Sequence, residues 1–379
     1  MSAPRLPSIG WRNLRRDPVR MGIAVFAVVF AVVLVTVEVG MLLGLVRNAS
    51  LLIDRSRAEV WISKVDVKTF DFATPFDPRE KHRIEAIPGV ERVEEYNVSY
   101  TMWRLPSGGN ISVQIVGMEA RARLAPELEL VSGSLGAIHN QDAIVIDEGD
   151  RAKLGNPALG DTVEIMGRRA RIVGFTRGMR SFTTTPFVFA SLERSHAYGW
   201  VTEGGKQTIY YLVQTAGDPA PVVAAINARI SGVEAHTRES FALRTRTYWL
   251  LETGVGLGFL LAAFLGLVVG GAIVSQTLYA MTVERLPEFG VLKALGATMG
   301  ELSRVVLEQS LICGALGLLL GFAATFALQP LAEAAGTAVL IPLPLAAAVI
   351  FLTVLLCAGA ALFSIAKLHR VEPAMVFRT

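Results

Sequence analysis

Five histidines, His82, His139, His196, His236 and His369, and two cysteines, Cys313 and Cys357, are the side chains best suited to metal or nucleophilic chemistry in this sequence. Their spacing supports neither. A zinc helix shows His-Glu-x-x-His and a thiolate site Cys-x-x-Cys, because a single turn must aim two ligands at one ion. Neither pattern occurs, and both cysteines fall inside apolar runs, so no catalytic residue and no metal ligand is assigned. The nearest approach to a phosphate loop is Gly204-Gly205-Lys206-Gln207, which lacks the glycine five residues before Gly205 and the Ser or Thr after the lysine. It reads as a hairpin turn. No cofactor is expected on this chain, and the Asn-x-Ser triplets at Asn48, Asn97 and Asn110 receive no role.

The elements that position the remaining polar residues are set by lipid. Of the 379 residues, 52% are apolar and 18% charged, and the mean hydropathy is +0.46. That excludes both an ordinary soluble protein and a disordered one. With 36 Lys+Arg against 33 Asp+Glu and no basic block beyond the N-terminus, nucleic-acid binding is excluded too. A spanning helix needs about 20 apolar residues, and four stretches meet this: 21–46, 253–280, 305–328 and 345–365. The first follows Arg12, Arg15, Arg16 and Arg20 without a cleavage pattern, so it is expected to be a retained span.

Positive charge near the span ends sets the orientation. Arginines crowd the first twenty residues, Arg285, Lys293 and Arg304 mark the 282–304 loop, and Lys367, Arg370 and Arg378 mark the 366–379 tail, whereas the 329–344 loop has neither Lys nor Arg. Both termini and the 282–304 loop are therefore expected to be cytoplasmic, with residues 1–20 an amphipathic helix leading into span one. The expected fold class is an α-helical integral membrane protein with four transmembrane helices plus a large α+β extracytoplasmic domain between helices 1 and 2. Spans one and two, at about 39 and 42 Å, exceed a bilayer core of about 30 Å. Either they tilt, or 21–46 and 248–281 continue as a stalk that carries the domain.

Within that domain, 47–247, the run 59–63 reads as a strand, followed by a helix opening at Asp77-Pro78 and extended runs at 93–105 and 111–119. The far end repeats this grammar: a strand at 208–214, Asp218-Pro219, a helix, then Gly232-Val233-Glu234 matching Gly89-Val90-Glu91. Unless the likeness is coincidence, one α+β subdomain (57–120 and 207–240) is split by a β-rich insertion, 121–206. Glu38 and Glu308 fall near opposite ends of their spans, where interfacial water can solvate them, which argues against a midplane proton relay. Gly266-x-x-x-Gly270 and Gly317-x-x-x-Gly321 suit close helix packing, either within the chain or in a dimer.

The most specific stretch is Val283-Glu284-Arg285-Leu286-Pro287-Glu288-Phe289-Gly290-Val291-Leu292-Lys293-Ala294-Leu295-Gly296-Ala297. Leu286, Phe289, Leu292 and Leu295 recur at helical spacing and Gly296 suits a C-terminal cap, so a short amphipathic helix is predicted. It lies at the headgroups or docks into a cytoplasmic partner. These residues closely resemble the cytoplasmic coupling segment of FtsX-like, MacB-type ABC transporter permeases. Gln276-Thr277-Leu278-Tyr279-Ala280, Leu286-Pro287-Glu288 and Ala58-Glu59-Val60-Trp61 look most like the DevC subgroup. The likeness extends from Trp11-Arg12-Asn13-Leu14-Arg15-Arg16 to Glu372-Pro373-Ala374-Met375 and departs from MacB in lacking a fused ATPase domain.

The resemblance implies a non-catalytic inner-membrane subunit: two permease copies pair with a separate ABC ATPase and pass its motion to the external domains. These work with a periplasmic adaptor and an outer-membrane channel, so cargo need not cross the permease. It assigns Glu284, Arg285, Glu288, Gly290 and Lys293 to the ATPase interface and Leu286, Phe289 and Leu292 to the buried face. An FtsX-like regulator of a periplasmic hydrolase or sensor, and a lipoprotein-release permease, share the architecture.

Overall fold

The computed structural model describes residues 7–119, 121–140, 142–183, 185–199, 208–334 and 337–368. The 204–207 turn, His369 and the tail after it lie outside them, as do the first six residues. The chain divides into two compact units, Gly44–Val255 and a second made of Met1–Leu43 with Gly256–Thr379. It begins with α1 (Pro7–Arg16) and α2 (Pro18–Ala49). At 32 residues α2 is about 48 Å long, more than a bilayer core demands.

The Gly44–Val255 unit is built on one ten-stranded sheet. Its first elements are α3 (Leu51–Asp54), β1 (Val60–Lys64), α4 (Glu80–Glu85), β2 (Val90–Arg104) and β3 (Asn110–Met118). There follow β4 (Leu130–Gly133), β5 (Ala143–Asp147), β6 (Thr162–Ile165), β7 (Arg168–Thr176), β8 (Phe187–Ser191) and α5 (Leu192–Tyr198). The segment closes with β9 (Tyr210–Thr215), α6 (Pro219–Arg229), β10 (Val233–Thr237) and α7 (Arg238–Thr247). Strands from its two ends interleave in the order β10-β1-β9-β2, each antiparallel to its neighbour, which is a split β-α-β pattern. Alternation along each strand divides the side chains between two cores. Val60, Ile62, Tyr211 and Val213 meet Ile84 of α4 and Val222 and Ile226 of α6. On the opposite face Trp61, Tyr210 and Leu212 meet Phe70, Tyr96 and Phe241.

β8 adds parallel to β3 and the same sheet continues into the insertion as β3-β8-β5-β7-β4, with β6 pairing β2 and β7. The cause is β3 itself, whose Val113 and Ile115 require cover beyond the reach of β9. Helix α4 starts two residues after Asp77-Pro78, because Asp77 Oδ1 accepts the Arg79 amide at 2.9 Å in a preceding turn. Asp218, by contrast, caps α6 directly through the Ala220 amide at 3.1 Å. The expectation that 248–281 continues as one stalk also needs correction. Residues Tyr248–Glu252 form a π-helical turn and Gly254 adopts φ +74°, so the transmembrane helix α8 (Val255–Glu284) is not continuous with 248–252.

After α8 come α9 (Leu286–Ala294), α10 (Met299–Ala334) and α11 (Leu343–Leu368). Helices α2, α8, α10 and α11 are long and apolar enough to cross a membrane. α10 outruns the expected end at residue 328 by more than a turn, with Pro330 inside it. Thr36 and Thr353 in these helices bond backward along their own helix, to the Val32 carbonyl at 2.6 Å and to Val349 at 2.8 Å, so these two hydroxyl donors are satisfied without water.

Candidate coupling site

The α9 segment is shaped by its two ends. Pro287 sits in the first turn, where its missing amide costs nothing. At the other end Gly296, with φ +98°, lets its amide reach the Lys293 carbonyl (3.1 Å) while Ala297 donates to Leu292 (3.0 Å). That pair of bonds is a Schellman closure, available at low cost only to glycine. One residue later Thr298 and Glu301 form a reciprocal capping box. The Glu301 amide donates to Thr298 Oγ1 (3.3 Å) and the Thr298 amide to Glu301 Oε2 (2.9 Å). Helix stop and helix start are thus fused into one corner between α9 and α10.

The corner decides which face of α9 is free. Phe289 is buried against Leu302, Val305, Val306 and Ala361, flanked by half-buried Leu286 and Leu292. Gly290 is buried as well. Glu288, Val291 and Leu295 point away, the last at 80% exposure. Leu295 therefore does not belong to the packed stripe: Gly296 reverses the chain before the helix can bring it round. Lys293 is half-buried on the flank.

The residues flanking α9 are already engaged. Glu284, at the end of α8, accepts both guanidinium nitrogens of Arg20 at the start of α2. Such a bidentate pair fixes orientation as well as distance. It ties the start of α2 to the end of α8. Arg285, assigned by its motif to an interface, turns inward with its side chain 14% exposed, 3.9 Å from Glu288. Arg20 and the capping box are structural features that lie outside the coupling-segment motif. Thr298-Met299-Gly300-Glu301 carried the signal for the second, whereas nothing local links Arg20 to a residue 264 positions away.

The four small-residue positions all face α2 of the same chain. A Cβ at Gly270 would lie 2.6 Å from Ala31 Cβ and one at Gly321 2.6 Å from Val32 Cγ1, while Gly266 and Gly317 are backed just as tightly by Leu34 and Val28. α2 is thereby clamped between α8 and α10. Glu38 lies two residues before Gly40, whose carbonyl accepts the Leu340 amide at 3.0 Å. Glu308 is 3.5 Å from Arg304 and beneath α1, where Gly10 leaves room for it.

Among the described residues no group of three or more His, Cys, Asp or Glu is arranged to hold a metal. Two of the histidines are engaged inside the domain: His196 faces Glu95 at 3.5 Å and His236 stacks on Phe241. Burial pushes the Glu95 carboxyl up, but His196, Thr208 and Lys81 more than offset it, leaving it below the usual range.

Two family models match the chain. The MacB-like periplasmic core domain covers residues 21–229, more than half of the chain, and the FtsX-like permease C-terminal covers residues 260–373. Among solved structures, the chain is similar to the extracellular domain of the noncanonic ABC-type transporter YknZ from Gram-positive bacteria. That match has 12% identity and a TM-score of 0.34, covering 48% of this chain and 99% of that one. It is also similar to the periplasmic region of MacB from Actinobacillus actinomycetemcomitans, with 12% identity and a TM-score of 0.36, covering 50% of this chain and 94% of that one. No curated protein matches.

Proposed function

Because this chain belongs to the FtsX/MacB-type ABC transporter permeases, an inner-membrane family, we propose that it is the permease subunit of an exporter. It transmits ATP-driven motion of a separate ATPase to its large domain. That domain, working with a periplasmic adaptor and an outer-membrane channel, drives efflux. Two permease copies work as a homodimer, and both termini lie in the cytoplasm. The chain itself performs no catalysis, ATP being hydrolysed on the partner.

The observation that carries this reading is α9. Its inner face is committed through Phe289, while Glu288, Val291 and Leu295 form an exposed stripe with an apolar half that none of the described residues covers. A stripe of this kind suits an apolar groove with a basic rim on a protein partner better than water. The Arg20–Glu284 pair, close behind it, would let a push on α9 reach α2 and α8 together.

Affinity purification of the full chain from its native membranes is the test. A separate ABC ATPase is expected to co-purify, and Glu288→Lys or Leu295→Asp to lower its recovery about tenfold or more, a change of about 1.4 kcal/mol. Stimulation of ATP hydrolysis that survives deletion of 284–295 counts against the proposal. The other proteins recovered define the role: an adaptor supports efflux, whereas a cell-wall hydrolase or bound lipoproteins would replace it with the regulatory or lipoprotein-release reading.

A further inference from the structure

The break at 248–254 is held in place by an unusual set of contacts. Trp249, on the π-helical turn, donates its indole Nε1–H to both Thr69 Oγ1 and Asp71 Oδ2, each at 3.1 Å. Its ring is clasped by Phe182 (centroids 4.3 Å apart) and Phe72 (5.7 Å). Beside it Lys68 pairs with Glu252 at 2.6 Å. The short segment 68–72 thus grips 248–252 by three separate means, and immediately beyond the grip Gly254 stands at φ +74° with nothing within 4 Å of where a Cβ would sit. A gripped turn next to a free left-handed glycine is the anatomy of a hinge with a catch.

We propose that residues 248–254 form an acid-tightened joint: closed when Trp249 is docked on Thr69 and Asp71, open when the turn swings on Gly254. This inference concerns the joint alone and stands whether or not the ATPase reading does. The carboxyl is the reason for the acid dependence. Asp71 is buried, and burial pushes its pKa up to about 6, against which the bonds from Trp249, Gln114 and Thr69 act only in part. Opening would return the carboxyl to water and to its ordinary value near 3.8, so by linkage protons favour the closed form. The other titratable groups facing it are Tyr100 of β2, pushed up to about 12, and Tyr210 of β9, well above its usual range; both stay neutral. Nearby charges are neutralised in pairs, Lys68 with Glu252 and Arg244 with Glu234 at 2.8 Å.

The test uses the full chain in detergent micelles, labelled with 5-fluorotryptophan, with the Trp249 fluorine signal identified by Trp249→Phe. Between about pH 7.5 and 5 that signal is expected to titrate, with the closed-to-open ratio rising about tenfold. In Asp71→Asn, whose side chain is neutral at every pH, it should stay at the acid position throughout. Amide exchange over 248–254, corrected for the intrinsic effect of pH, is expected to slow about tenfold in the wild type on acidification. A Trp249 signal indifferent to pH, a titration that persists in Asp71→Asn, or exchange that does not slow would each overturn the proposal. If Asp71→Asn does not fold, the wild-type exchange result alone decides.

Discussion

Trp61 shows how much one side chain can organise in the large domain. Fully buried on β1, it makes aromatic contacts with Phe70, Tyr96, Tyr210 and Phe241 at 5.4–5.9 Å and donates its indole N–H to Ser56 Oγ at 3.1 Å. Trp61→Ala would leave a cavity where β1, β2, β9 and α7 meet. The expected cost is about 3–5 kcal/mol, read as a lowered thermal midpoint. Asp71 contributes with the opposite sign. Its pKa is raised on folding from 3.8 to about 6, so the stability it gives is present in full below the unfolded value and is lost as pH rises through 6. Asp71→Asn is therefore expected to stabilise the domain by up to about 3 kcal/mol near pH 7.5 and to have little effect near pH 4. Denaturation of wild type and variant side by side at both pH values checks it. Equal shifts at both would mean that the carboxyl is not the titrating group.

Elements gain their definition from their ends. Gly296→Ala places a Cβ in a left-handed position and is expected to cost about 1–2 kcal/mol, and Thr298→Ala about 1 kcal/mol. Both act on the α9–α10 corner, so thermal unfolding of the solubilised chain should register them while a substitution at exposed Val291 should not. At α2, Gly270→Leu would drive a side chain into Ala31 and the Ala27 carbonyl and is expected to abolish recovery of the folded membrane unit. The sequence made much of this level legible. Apolar length marked all four long helices, Asp218-Pro219 marked the start of α6, and Gly296 marked the end of α9, because each signal is local and has one cheap structural answer. The break at 248–254 was not legible. Tyr248, Trp249, Leu250 and Leu251 are apolar and lie just ahead of the 253–280 run, and the helix is broken where Trp249 docks onto Thr69 and Asp71, some 180 residues earlier. Leu295 misled for a related reason: spacing assigns a helical face, but only the chain reversal at Gly296 decides whether that face still meets anything. Arg20 and Glu284 were similarly hidden, each looking like an ordinary interfacial charge until α2 and α8 bring them together.

At the scale of the molecule, one ten-stranded sheet joins the interleaved outer strands to the insertion. The Gly44–Val255 unit carries three apolar clusters of its own and is expected to fold when expressed alone, with a single cooperative transition followed by circular dichroism. Removing 121–206 should not leave a smaller stable version. Without β8, the β3 edge is bare and Trp103, Val113 and Ile115 lose their cover, so the shortened protein is expected to aggregate, as light scattering would detect. That the strands of 121–206 complete the same sheet could not be read from their composition, since alternating residues fit an independent sandwich equally well until the parallel pairing with β3 is seen.

The interleaving has a further consequence for biogenesis. Among the described residues β1 pairs with β9 and β10 alone, which the ribosome does not reach until about 150 residues after β1 has been made. At about 5–20 residues per second that is a wait on the order of ten seconds, during which Val60, Trp61 and Ile62 have no strand beside them. Newly made chains should therefore depend on a holding chaperone throughout that interval, and a stop codon anywhere before residue 210 should yield a product that proteases clear rather than a partial domain.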